Sequence, residues 1–179
     1  MQKIKIHDKV FEPYLTADRI RARIAELGKE ISNDFVGEKV ILLGVLNGSF
    51  IVMADLAREI DLHVTCEFLR ISSYSGIETT GKVKSILGLN IDLKDCSVII
   101  VEDIVDTGIS MKYLVEELEK QKPKKIAIAT LLFKKEAFRF NYPLDYVGFE
   151  IPNKFVVGYG LDYDGLGRNL KDIYQLSIT

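Results

Sequence analysis

Thiols and imidazoles are scarce in this 179-residue chain, which has two cysteines and two histidines. Cys66 and Cys96 lack the C-x-x-C spacing of a redox or zinc site, and both fall at or beside predicted strands, so buried, reduced thiols are expected. His7 and His63 have no partner at a useful spacing and read as structural or surface residues. No apolar run reaches the length of a membrane span, and the charged start MQKIKIHDKV lacks the apolar core of a signal peptide. A cytoplasmic protein without membrane contact is the expectation. Charge of one sign is missing as well: 24 basic residues stand against 26 acidic ones, net −2, and the basic ones are spread along the chain. Such a balance gives no electrostatic reason to bind nucleic acid.

What the chain does have is apolar residues, 47% of the total, enough for one well-buried domain over 1–179 and too few for two. Three continuous apolar runs, Lys39–Leu46, Val98–Val101 and Lys125–Phe133, read as strands covered on both faces. A first helix should run from Thr16, as N-cap, to about Ser32, with Ile20, Ile24, Leu27 and Ile31 on its buried stripe. A second is expected over Phe50–Ile60. Its first half is apolar nearly all round, which fits either the core or a subunit interface. A third should begin at Met111 and place Met111, Leu114, Val115 and Leu118 on one face. His63–Ile71 and Lys82–Leu87 read as further strands, and Asn90–Asp95 as a polar connection. Repeated β-α-β units with right-handed crossovers predict an α/β fold: a mostly parallel central sheet flanked by helices. Tyr146–Tyr163 is too broken by Pro and Gly for a helix and reads as two short strands and a loop, a small hood.

The chain is organised around Val98–Ser110, VIIVEDIVDTGIS. A buried run stops at Glu102 and Asp103, Asp106 follows, and Thr107, Gly108 and Ser110 form a small hydroxyl-rich turn before a helix. In an open α/β sheet, ligands sit at such a place. Backbone N–H groups from Thr107 to Ser110, including Ile109, together with the two hydroxyls, would cradle a phosphate. Carboxylate oxygens beside a phosphorylated sugar suit Mg²⁺ or ribose hydroxyls. The second strand ends in a comparable turn, Asn47-Gly48-Ser49, where Gly48 serves either a tight helix start or a close ligand. Between 72 and 82 the chain is polar and without period, a length of loop that is usually functional or mobile.

The run of apolar residues, acid pair, spacer and Asp-Thr-Gly-x-Ser resembles the phosphoribosyl diphosphate (PRPP) signature of the type I phosphoribosyltransferases. The resemblance implies that Asp103, Ile104, Val105, Asp106, Thr107, Gly108, Ile109 and Ser110 bind the sugar phosphate, and that Asn47, Gly48 and Arg168 bind the diphosphate. Members of the family often carry Lys where this chain has Asn47. It further implies a lid over 72–82, marked by Ser73 and Tyr74, that would shield a cationic sugar from water. The hood would be built from the N-terminal segment and about 146–179.

VGFEIPNKFVVGYGLDY is similar to the C-terminal part of the hypoxanthine-guanine members. That likeness implies a 6-oxopurine as second substrate, with Lys134 donating to O6, Phe155 stacking on the ring, and backbone at Val156 and near Asp162 reading its edge. From the bare sequence Phe155 would instead be a core residue. Glu102, Asp103 and Asp162 would hold Mg²⁺, and Asp106 would act as general base. A homodimer or homotetramer is the family-level expectation. The competing readings are a regulator of the same fold, which would need a basic face or an added DNA-binding domain, and a binding module without catalysis. The second would be expected to have lost Asp106 or Lys134.

Overall fold

The computed structural model describes residues 2–73, 83–88 and 91–177, with backbone only at 72–73 and 83–87. The lid segment 74–82, with Tyr74, lies outside the described residues; Ser73 is the last residue of a strand.

The chain opens with a hairpin, β1 (Ile4–Ile6) and β2 (Lys9–Leu15), then α1 (Ala17–Asp34). Thr16 caps α1 by accepting from the Arg19 N–H at 3.3 Å, and the helix runs slightly past the expected end. There follow β3 (Val40–Leu46), α2 (Phe50–Glu59), β4 (Val64–Ser73), β5 (Val83–Leu87), β6 (Ser97–Val105), α3 (Ile109–Glu119), β7 (Lys125–Phe133) and β8 (Tyr146–Glu150). Two short strands, β9 (Val156–Val157) and β10 (Ile173–Leu176), end it.

The main sheet has the order β5-β4-β3-β6-β7-β8, parallel except for the antiparallel edge strand β5. Its apolar strands alternate between two cores. Val40, Leu42, Ile99, Val101 and Ala129 face α1 and α2, whereas Ile41, Leu43, Val98, Ile100 and Ile128 face α3. Both faces are covered, which is why these strands read as unbroken apolar runs.

From β3 the chain moves outward to β4, and from β6 it moves outward the other way to β7 and β8. The topological switch therefore lies between β3 and β6. These two pair only from Val40↔Ser97 to Gly44↔Val101 and then part. A crevice opens where they separate, the usual ligand position in such sheets.

Several boundaries differ from expectation. β6 does not stop at the acid pair but continues to Val105, because β7 pairs with it as far as Val105↔Phe133. The acids thus lie on a rigid strand instead of a loop. α3 begins two residues before Met111, with Gly108 at its N-cap. β8 was expected in the hood, yet it extends the main sheet beside β7, burying Tyr146. Only β9 joins the second sheet, ordered β1-β2-β10-β9, whose core is Ile6, Phe11, Val157 and Tyr174. Cys96 is buried as expected, but Cys66 is exposed, on β4. No described helix is long and apolar enough to cross a membrane.

Candidate active site

A cleft of about 400 Å³ occupies the crevice between the ends of β3 and β6. It gathers Asn47, Gly48, Glu102 to Gly108, Ser110, Asp162 and Arg168. Residues more than a hundred positions apart thereby share one wall. The turn after β6 forms because Gly108 takes φ 81°, a left-handed conformation that side-chain-bearing residues rarely adopt. It reverses the chain into α3, whose first-turn N–H groups have no partner within the helix. That end of a helix, with the Thr107 and Ser110 hydroxyls, is suited to an anion.

Across the cleft, Gly48 comes so close to Asp103 that a Cβ there would stand 1.6 Å from Oδ2. The Leu46–Asn47 peptide is cis. At the first turn of α2 the Ser49 hydroxyl is fully buried and has no partner among the described residues. Asn47 Oδ1 accepts from the Arg70 guanidinium at 2.6 Å. Sequence reasoning did not single out Arg70. Its only signal was a cation within a predicted strand, and the parallel register that sets it beside Leu46 is not readable from the chain.

Burial and the neighbouring Asp103 push the Glu102 carboxyl well above the usual carboxylate range. Burial raises Asp103 too, although the Ile104 N–H, donating to Oδ1 at 2.9 Å, pulls the other way. Two adjacent carboxylates, each partly buried at the cleft wall, fit a hard divalent cation, which would remove their repulsion. Asp162 is already engaged: Arg168 pairs with Oδ1 at 2.7 Å and the Gly165 N–H donates to Oδ2 at 2.8 Å. A carboxylate has about four lone-pair sites, so Asp162 retains capacity for a further ligand. Arg168 also donates to the Gly160 carbonyl at 2.7 Å, which fixes its guanidinium at the cleft edge. Among the described residues there is no cluster of three or more potential metal ligands.

Lys134 emerges from β7 beside the end of β6, its own N–H bonded to the Val105 carbonyl at 3.0 Å. The residue is only 8% exposed, and Nζ lies 2.9 Å from Asp106 Oδ2. An ammonium donor and a carboxylate acceptor therefore stand together next to the Thr107–Ser110 turn.

Phe155 and Val156 do not line the cleft. Val156 is buried in β9, and Phe155 is 44% exposed, so it is not the core residue that the bare sequence suggested. Its ring sits among Phe11 at 6.3 Å, Tyr163 at 5.8 Å and the Lys9 ammonium at 5.8 Å, leaving one aromatic surface uncovered at the hood.

A crevice at a topological switch, a turn suited to an anion and an acid pair on the strand before it are the features expected of a phosphosugar-handling α/β enzyme. The chain belongs to the phosphoribosyl transferase domain family, whose model matches residues 12–164, and it is a glycosyltransferase. Within that family it is 39% identical over 174 residues to the hypoxanthine-guanine phosphoribosyltransferase of Aquifex aeolicus, covering 96% of this chain and 98% of the relative. It is 44% identical over 154 residues to the hypoxanthine phosphoribosyltransferase of Escherichia coli, covering 84% and 86%. A crystal structure of a hypoxanthine-guanine phosphoribosyltransferase from Bacillus anthracis superposes with a TM-score of 0.85 at 36% identity, over 95% of this chain and 99% of that one.

Proposed function

We propose that this enzyme transfers the 5-phosphoribosyl group of PRPP to hypoxanthine and guanine, and to xanthine as a third 6-oxopurine, releasing diphosphate and a nucleoside 5′-monophosphate. The observation that carries the reading is the Lys134–Asp106 pair, placed beside the phosphate turn. A 6-oxopurine offers an acceptor at O6 and a proton at a ring nitrogen, which match a donor and an acceptor side by side. Adenine presents an amino donor where Lys134 also donates, and such a mismatch at a buried site can cost about 10⁴ to 10⁵ in discrimination.

The reaction separates charge: the bond from ribose C1 to the diphosphate oxygen breaks as a purine nitrogen attacks. The turn Thr107–Ser110 holds the 5′-phosphate. Backbone at Gly48, with Arg168, meets the leaving diphosphate. Glu102 and Asp103 orient the ribose hydroxyls. Bound Mg²⁺, held by Glu102 and Asp103 with a second ion at Asp162, would supply charge neutralisation for the diphosphate. Asp106 accepts the proton from N7, and Lys134 supports the negative charge that gathers on O6 as that proton leaves. The Phe155 ring covers the base.

The test offers hypoxanthine, guanine, xanthine and adenine separately with PRPP and Mg²⁺ in a spectrophotometric assay. Turnover of oxopurines and none of adenine is expected; folded protein inactive on every base overturns the reading. A homodimer or homotetramer is part of the proposal, because Phe50 and Phe68 are 42% and 38% exposed on the α2 side of the sheet. Sedimentation should give a multiple of the 20.3 kDa chain, and Phe50→Glu with Phe68→Glu should give the monomer.

A further inference from the structure

The loop that begins with Lys134 does not end its work there. It continues behind the phosphate turn, on the side away from the cleft, and touches that turn at three points. The Arg139 N–H donates to the Thr107 carbonyl at 3.2 Å. The Tyr142 hydroxyl donates to the Gly108 carbonyl at 2.8 Å. The space that a Cβ on Gly108 would take is filled by Phe138, 2.5 Å from it, and by the Tyr142 oxygen, 2.7 Å from it.

These contacts have a directional consequence. In a planar trans peptide the carbonyl and the next N–H point in opposite directions. Drawing the Thr107 carbonyl towards Arg139 therefore turns the Gly108 N–H the other way, towards the cleft. Drawing the Gly108 carbonyl towards Tyr142 likewise sets the Ile109 N–H on the opposite side of its peptide, where the Thr107 hydroxyl accepts from it at 3.5 Å. Helix α3 reinforces the second effect, since the Lys112 N–H also donates to the Gly108 carbonyl, at 2.9 Å.

The phenol is well held. Its ring meets Phe138 edge-on at 5.1 Å, and Phe138 in turn meets Phe133 of β7 edge-on at 5.2 Å. The hydroxyl thus hangs from the main sheet through two aromatic rings. Burial, and secondarily the Glu102 charge, pushes the phenol up to about 12, so it stays protonated and remains a donor.

We propose that Tyr142 is a positioning residue of the phosphate turn: by holding the Gly108 carbonyl it fixes the amides that bind the 5′-phosphate of PRPP and of the product nucleotide. The proposal rests on the assignment of that turn to the 5′-phosphate. It also makes one loop serve both halves of the nucleotide, with Lys134 at the base and Tyr142 behind the phosphate.

Tyr142→Phe keeps the ring and removes only the donor. Binding of inosine 5′-monophosphate and of inorganic diphosphate should be measured by calorimetry on wild type and variant, with KM for PRPP and kcat alongside. Losing one hydrogen bond that preorganises the site should weaken the monophosphate and raise the PRPP KM by about tenfold. Diphosphate, which binds on the Gly48 side, should be weakened far less, and kcat should change less than KM. Phe138→Leu, which loosens the ring support and leaves the hydroxyl in place, should move the same constants in the same direction and serves if Tyr142→Phe does not fold. Unchanged monophosphate affinity in either folded variant, or an equal loss for monophosphate and diphosphate, overturns the proposal. Wild type that binds no monophosphate at all overturns instead the assignment of the turn.

Discussion

Lys134 Nζ stands 2.9 Å from Asp106 Oδ2, joining the exits of two neighbouring parallel strands, β7 and β6. The lysine side chain is 10% exposed and the aspartate 46%, so the pair is open to solvent mainly on the acid's side. A base bound as proposed would approach along the acid's more open side and so meet the carboxylate and the ammonium together.

Asp106→Asn removes the proton acceptor and leaves the shape. It should lower kcat by about 10² to 10⁴ while the KM for PRPP moves little. Lys134→Gln should raise the KM for hypoxanthine and narrow the gap between hypoxanthine and adenine, since an amide can present its oxygen to an amino group. Steady-state kinetics with both bases check this, and unchanged discrimination would remove Lys134 from the recognition of O6.

Gly48→Ala should fold and fail. Its Cβ would lie 1.6 Å from Asp103 Oδ2, so either the diphosphate loop or the carboxylate must shift. A displacement of about 1 Å at a reacting site costs about 10²-fold in rate, and that loss is expected in kcat/KM for PRPP. A circular dichroism melt close to wild type would show that the damage is local.

The acid pair makes stability depend on pH. Because the folded-state pKa of Glu102 is raised, the folded protein binds this proton more tightly than the unfolded chain does. Its contribution is therefore most favourable at acid pH and declines as pH rises from the ordinary carboxylate range through the raised value. Glu102→Gln should increase the metal-free Tm over wild type more at about pH 8 than at about pH 5. Mg²⁺ should stabilise wild type more than the variant at the higher pH. Equal gains at both pH values would contradict the burial argument.

Arg70 brings a positive charge to a loop in which Asn47 has none. Arg70→Ala should weaken inorganic diphosphate by about threefold to tenfold, less at high salt because the side chain is exposed. Calorimetry at two salt concentrations separates this from a loss of loop geometry, which would not respond to salt.

Most of the central architecture was legible in the chain itself. Val40–Leu46 and Ile126–Phe133 are almost wholly apolar because helices cover both faces of the sheet, so their strand character did not depend on knowing the neighbours. The stripe Ile20, Ile24, Leu27 and Ile31 identified α1 for the same reason, through a period that local geometry imposes. The form of the Thr107–Ser110 turn was equally local, since one short stretch carries the strand, the acids, the glycine and the helix start.

Tertiary structure decided whatever depends on pairing between distant segments. β6 runs through its acids because β7 is there to bond with it, and β8 joins the main sheet because its register against β7 buries Tyr146. Cys66 is exposed and Cys96 buried, a difference set by what packs around each residue and not by residue type. Arg70 beside Asn47, and Tyr142 behind Gly108, are contacts across 23 and 34 residues of chain. Composition and periodicity act over a turn or two, and contacts at such range exist only once the sheet order is set. The sequence by itself determined which groups this protein has for handling a phosphosugar; the fold decided which of them face one another.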